Sequence, residues 1–370
     1  MFLYKILHEN RESLIKTIAS GGQDLALWQL PYPVLGPDKY HLFTNMIYVG
    51  PGASMRSIDA SKVLMIISGT HGLEGPPGSR VQIGLAQVLV QAGLPALAPR
   101  GILDDHSDVG ILFVHALNPW GYAFGRRVDH EGIDINRNCV DVYAGSRDWD
   151  TVRDVCAPSV WGEAQEAAIR SVFADPQRLR TFLPAMIRGQ YHDPKGLFYG
   201  GSRESACIHT LREFCTQQLT KVQRLAVVDL HTGIGEPMKG DLYSAEVDAS
   251  SLATARLKRW FGECALQFPN MKTSQSSSPG ADGNVLSAIT RWLPTVEVTS
   301  LAIEMGVAPL LEATIALVRE NTLYHHGALR TAPDERLIDV FDPLHDAWDG
   351  AFYTRTRNVV EQMLAGLMES

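Results

Sequence analysis

The sequence predicts an α/β fold, a mixed, largely parallel twisted sheet sandwiched between helices. Three observations predict it. Short apolar runs rich in β-branched residues recur along the chain, helical patterns fill the intervals, and polar clusters follow the runs. Uninterrupted apolar runs suit strands covered on both faces, and their alternation with helices suits a sheet with helices on each side.

The runs are residues 63–67 (VLMII), 111–114 (ILFV), 225–228 (LAVV) and 301–303 (LAI). Residues 78–92 carry apolar side chains at roughly helical spacing and stop at Gly93, which suits a helix C-terminus. Residues 163–173, 205–219, 251–268 and 310–322 also read as helices. The stretch from about 346 to 368 reads as a long amphipathic helix packed on the body as a C-terminal extension. Residues 274–284 (SQSSSPGADGN) are polar and glycine-containing, and predict an exposed loop. No linker divides the chain, so residues 1–370 are read as a single catalytic domain.

Bulk composition sets limits. With 370 residues, 45% hydrophobic and 20% charged, the chain has material for a large core. Its net charge of -8 is spread out, and no Lys/Arg block points to nucleic acid. No uncharged apolar run approaches the roughly 18 residues of a membrane span. The N-terminus carries charge within five residues and has no long apolar segment, which predicts a cytoplasmic protein without a leader. Cys139, Cys156, Cys207, Cys215 and Cys264 are odd in number and show no CxxC spacing, so reduced structural thiols are expected.

Four polar clusters carry chemistry, at the strand ends where ligands bind in open α/β sheets. The first is SGTHGLEG, residues 68–75. His71 and Glu74, three apart in a glycine-rich turn, can offer an imidazole and a carboxylate to one zinc ion, although such pairs often only solvate a surface. The second is VDLHTG, in which His231 reads alone as a core or capping histidine. Together the three residues form a His2Glu set that leaves a position open for water.

The third cluster is NPWG at 118–121, then Arg126 and Arg127, then GIDINRN at 132–138. Arginine forks suit a carboxylate or a developing oxyanion, and one of the two adjacent arginines is expected to be an ordinary surface charge. The fourth is Glu304, at the end of an apolar run. There a carboxylate is costly without a partner and serves either as a buried ion-pair member or as a general base.

Taken in order, HxxE, Arg, GxDxNRN, a strand ending in His and a strand ending in Glu resemble the zinc carboxypeptidase superfamily (the M14 type). More closely, SGTHGLEGPPGS, NPWGYAFGRRVDHEGIDINRN, QYHDPKGLFYGG, VDLHTGIG and LAIEMG resemble its bacterial DUF2817 branch, from about residue 10 to the C-terminus. The resemblance implies a zinc carboxypeptidase-like fold and one Zn2+ per chain on His71, Glu74 and His231. It implies that Asp134 accepts a proton from the His71 imidazole and that Arg127, rather than Arg126, stabilises the oxyanion. Asn136 and Arg137 would hold the substrate's terminal carboxylate. Glu304, with Glu297 as a rival, would deprotonate the attacking water and protonate the leaving amine.

Two departures bear on the substrate. Digestive carboxypeptidases carry a loop tyrosine shortly before the catalytic glutamate, and no tyrosine lies between Tyr243 and Glu304 here. Part of the usual clamp on the terminal carboxylate is therefore missing or supplied elsewhere, for instance by Tyr191 or Tyr199. The usual NPDG is also NPWG. The expected reaction is hydrolysis of an amide bond next to a free carboxylate, in a short peptide or peptide-like molecule. An N-acyl amino acid deacylase, resembling aspartoacylase and succinylglutamate desuccinylase, is the alternative. Manganese or cobalt in place of zinc, and an inactive metal-free binding module, are the remaining readings. Nucleic acid and membrane partners are not expected, and the sequence assigns no oligomeric state.

Overall fold

The computed structural model describes residues 2–22, 24–104, 106–144, 147–244, 251–263, 266–267, 283–327 and 334–369. Among the described residues, eight strands form one sheet: β1 (Leu25–Pro31), β2 (Phe43–Val49), β3 (Lys62–Ile67), β4 (Val109–His115), β5 (Arg224–Ile234), β6 (Gly240–Tyr243), β7 (Leu266–Gln267) and β8 (Glu297–Ala308). Their order is β1-β2-β4-β3-β5-β8-β6-β7. The neighbours β4, β3, β5 and β8 run parallel. β1, β2 and β4 pair antiparallel, as do β8 and β6. The sheet is therefore mixed with a parallel centre, as the sequence predicts.

Each of the four apolar runs lies inside one central strand, because those strands are covered on both sides. Val63, Met65 and Ile67 pack with one layer, which includes helices α7 (Ala206–Gln218) and α9 (Val285–Trp292). Leu64 and Ile66 pack with the other, which includes α1 (Phe2–Ser20), α2 (Gly75–Ala92) and α12 (Asp346–Met368). A third cluster joins α5 (Glu163–Ala174), α6 (Pro176–Ile187), α10 (Leu310–His326) and α11 (Glu335–Phe341). Residues 346–368 form the helix expected, α12. Trp348 is buried, and its indole N–H donates to the Gly306 carbonyl at 2.8 Å.

The helix expected over 251–268 is shorter, Leu252–Phe261. Gly262 ends it at φ 83°, a left-handed angle that glycine adopts without strain, and Leu266–Gln267 pair with β6 instead. The loop expected at 274–284 lies outside the described residues except for Gly283 and Asn284. Cys139, Cys156, Cys207 and Cys215 are buried and unpaired, and Cys264 lies outside the described residues. Among the described residues no helix is long and apolar enough to cross a membrane.

Candidate metal centre

The loops after β3 and β4 run side by side, joined by hydrogen bonds from Leu117 N to Ser68 O (3.0 Å) and from Asn118 N to Gly69 O (2.8 Å). His71 then opens a 3-10 turn, Gly72–Glu74, that runs directly into α2. Two glycines of this motif are explained by close approach. A Cβ on Gly72 would lie 2.0 Å from the Gly121 carbonyl carbon, and one on Gly75 1.9 Å from the Tyr122 ring. The turn can pack on α3 (Pro119–Phe124) only without side chains there.

This turn and β5 bring His71, Glu74 and His231 together, all buried, with their ligand atoms within 4.8 Å of one another. Nδ1 of His71 lies 2.9 Å from Glu74 Oε1, and Nδ1 of His231 lies 3.0 Å from Glu74 Oε2. Behind each ring stands a second carboxylate. His71 Nε2 is 3.3 Å from Asp134 Oδ1, and His231 Nε2 is 2.8 Å from Asp229 Oδ2. Asp229 is fixed in turn by Thr70, whose hydroxyl donates to Oδ1 at 2.8 Å.

The residues present fit a metal ion. Both Nδ1 atoms converge on one carboxylate, while both Nε2 atoms face carboxylates that fix the tautomer a ligand imidazole needs. His71 Nε2 is buried, 3.3 Å from Asp134 Oδ1, with no hydrogen bond among the described residues. A cation on Nδ1 places the ring proton on Nε2, where Asp134 can accept it. Two imidazoles and a carboxylate are a catalytic zinc set with coordination left open.

The buried carboxylates favour positive charge on the groups between them. Burial alone would raise the Glu74 carboxyl, but the charge on His71 and the hydrogen bonds from both rings hold it well below its usual range. Burial would lower the His231 imidazole, and Asp229 and Glu74 raise it instead. Asp134 stays ionised against burial because Arg127, His71 and Arg137 surround it. Glu304, opposite His231 in the β5–β8 ladder, is pushed up by burial and then by the Glu74 charge. The backbone N–H of Ile234 donates to its Oε1 at 3.1 Å.

The two adjacent arginines diverge. Arg127 Nε donates to Asp134 Oδ2 at 2.9 Å, its Nη1 lies 3.7 Å from Glu74 Oε1, and its guanidinium rests 4.8 Å over the Phe198 ring. Arg126 turns away, donating through Nε to Glu320 Oε1 at 2.6 Å and lying against Tyr324. It is 3% exposed, so the arginine expected at the surface is a buried ion pair instead.

The remaining expected residues are close to one another but already engaged. Asn136 Oδ1 accepts from Val285 N at 3.0 Å, at the start of α9. Arg137 donates through Nε to Ile187 O and through Nη1 to its neighbour's carbonyl, both at 2.9 Å, and its guanidinium lies 5.2 Å from the centre of the Phe198 ring. Tyr191 Oη donates to the Arg137 carbonyl at 2.7 Å, while Tyr199 contributes its carbonyl to Asp134 N. Glu297 is excluded as the rival base. It is exposed at the far end of β8, seven residues or about 23 Å from Glu304, and pairs with Arg224.

Sequence reasoning missed Asp229 and Phe198. The first had a signal: in a strand, Asp-x-His puts both side chains on one face. The second had none, because Phe198 reaches the arginines through a left-handed backbone (φ 55°) that the sequence does not announce.

No curated protein matches the chain. Among solved structures it is similar to a metallo-carboxypeptidase from Burkholderia cenocepacia, at 13% identity and TM-score 0.43, over 95% of this chain and 66% of that one. It is similar to carboxypeptidase A from Helicoverpa armigera, at 10% identity and TM-score 0.47, over 96% and 71%. It is also similar to a Bacteroides thetaiotaomicron glutaminyl cyclase bound to N-acetylhistamine, at 8% identity and TM-score 0.38, over 98% and 96%. The chain thus spans about two thirds of the length of the two carboxypeptidases. The family described as "Protein of unknown function (DUF2817)" matches residues 6–355, nearly the whole length, and the chain belongs to that family.

Proposed function

We propose that the protein is a zinc-dependent hydrolase that cleaves an amide bond next to a free carboxylate in a short peptide or peptide-like molecule. The observation that carries the reading is the convergence of His71, Glu74 and His231, with Glu304 opposite His231 in the ladder. Bound to the three ligands, zinc would polarise the scissile carbonyl and lower the pKa of a water.

The chain's own groups supply the rest. Glu304, whose affinity for protons is raised by burial, takes a proton from the attacking water and returns it to the leaving amine. Arg127, held by Asp134 and the Phe198 ring, stabilises the developing oxyanion. Asp134 and Asp229 orient the two imidazoles. Arg137 and Asn136, with Tyr191 bonded to the Arg137 carbonyl, are the residues assigned by this reading to the carboxylate end.

Metal analysis and a substrate panel test this. The purified protein should hold about one zinc per chain, lost in His71→Ala and His231→Ala. It should hydrolyse peptides with a free C-terminus and leave C-terminally amidated ones intact. Protein that takes up no stoichiometric metal sinks the reading, and equal activity on amidated peptides sinks the carboxylate requirement. Activity on N-acyl amino acids with none on dipeptides would make it a deacylase.

A further inference from the structure

Residues 190–200 form a loop fastened to the segment that carries Asp134 and Arg137. Asp134 N donates to Tyr199 O at 2.7 Å, Asn138 Nδ2 to Gly200 O at 2.8 Å, and Tyr191 Oη to Arg137 O at 2.7 Å. The loop closes on itself through Gln190 N to Phe198 O at 3.2 Å and Gly200 N to Gln190 O at 2.7 Å. At its closing end stands Phe198, buried, with φ 55°. A left-handed backbone is costly for a bulky side chain. It persists where the surroundings over-determine it, and such places cluster at functional sites.

The Phe198 ring meets two guanidinium groups, Arg127 at 4.8 Å and Arg137 at 5.2 Å from its centre. Two like charges gathered at one ring repel each other. The negative face of the ring offsets this, together with Asp134, which is bonded to Arg127 and attracts Arg137. The adjacent Arg126 lies against a different ring, that of Tyr324.

We propose that Phe198 is a positioning residue that holds Arg127 and Arg137 in one register. It thereby sets the span between the group that faces the developing oxyanion and the group that reads the carboxylate. The tasks of the two arginines rest on the hydrolase reading, whereas their common seat on Phe198 rests on the geometry alone. Loosening the ring then affects turnover through Arg127 and substrate binding through Arg137.

The test replaces Phe198 with Leu, which stays apolar on the same left-handed backbone but has no π face, and with Tyr, which keeps one. The Nε–H groups of Arg127, Arg137 and Arg126 donate to Asp134, the Ile187 carbonyl and Glu320 respectively, so each reports how firmly its side chain is held. Arg126 is the internal control. In the zinc-loaded protein, proton exchange at Nε, followed by NMR, should speed up about tenfold at Arg127 and Arg137 in Phe198→Leu and stay unchanged at Arg126. Phe198→Tyr should match wild type. On dipeptides with a free C-terminus, Phe198→Leu should lower kcat and raise KM, about tenfold each. The kcat loss should vanish in an Arg127→Ala background and the KM rise in an Arg137→Ala background. Unchanged exchange at either arginine, faster exchange at all three, a Tyr variant that behaves as Leu, or losses that persist in both double variants overturns the assignment. A wild type that hydrolyses no dipeptide overturns the hydrolase reading alone, because the exchange rates still decide whether Phe198 holds the two arginines.

Discussion

His231 Nε2 lies 2.8 Å from Asp229 Oδ2, two residues back on the same strand. A two-residue step returns to the same face, so β5 presents the imidazole already held from behind. The bond leaves Nδ1 as the nitrogen that faces Glu74, at 3.0 Å. Asp229→Asn keeps the size of the side chain but removes the charge. It should lower zinc affinity by about ten- to a hundredfold in chelator competition. Unchanged affinity would make Asp229 a packing residue only.

Arg126 and Arg127 should separate stability from activity. Arg126 forms a buried pair with Glu320, and truncating one member of such a pair costs about 3–5 kcal/mol. Arg126→Ala should therefore lower unfolding stability by that order while the folded fraction keeps its turnover. Arg127→Ala should lower kcat by about a hundred- to a thousandfold with a smaller loss of stability. Denaturant titration and steady-state kinetics on both variants decide it, and the reverse pattern would show that Arg126 serves the site.

Glu304→Gln should retain zinc and lose about a hundred- to ten-thousandfold in kcat, since proton transfer by a positioned side chain contributes that much. Metal content measured beside kcat distinguishes loss of the base from loss of the centre. Full activity with full metal would remove Glu304 from the chemistry.

Asp129 gives a pH dependence that does not involve the metal ligands. Its Oδ1 accepts from Glu131 N (2.9 Å) and Ile133 N (3.0 Å), and its buried Oδ2 has no hydrogen-bond partner among the described residues. Burial pushes its carboxyl up to about 7. The unfolded group titrates near 3.9, so the folded state holds the proton more tightly. The contribution to stability is full below about pH 4, falls as pH rises towards 7, and is level above that. From pH 5 to pH 8 the fall is about 2–3 kcal/mol, and Asp129→Asn should abolish it. Urea titrations of both proteins at the two pH values check this, and parallel profiles would count against a buried proton at Asp129.

The parts of the fold legible in the sequence are those buried on both sides. Residues 63–67, 111–114, 225–228 and 301–303 are continuous apolar runs because helices cover both faces of β3, β4, β5 and β8. The flanking strands gave no such signal. β1 is covered unevenly, with exposed and buried positions mixed, and β6 has only four residues. At the site, His71, Glu74 and His231 were legible from motif and order, and the ladder explains the fourth, Glu304. What stayed hidden depends on how distant segments meet. The Glu320 partner of Arg126 is 194 positions away, and Phe198 meets two arginines through one unusual backbone angle.

On the proposed hydrolase reading, the split between Arg126 and Arg127 also bears on how chains of this kind could lose their chemistry. The arginine that fastens α10 and the one beside the metal ligands are separate side chains, so selection can relax on one without touching the other. A descendant that exchanges Arg127 but keeps Arg126 and Glu320 would remain a folded protein able to hold metal without turning over substrate. A relative carrying only the first arginine of the pair would bear the footprint of a retired enzyme.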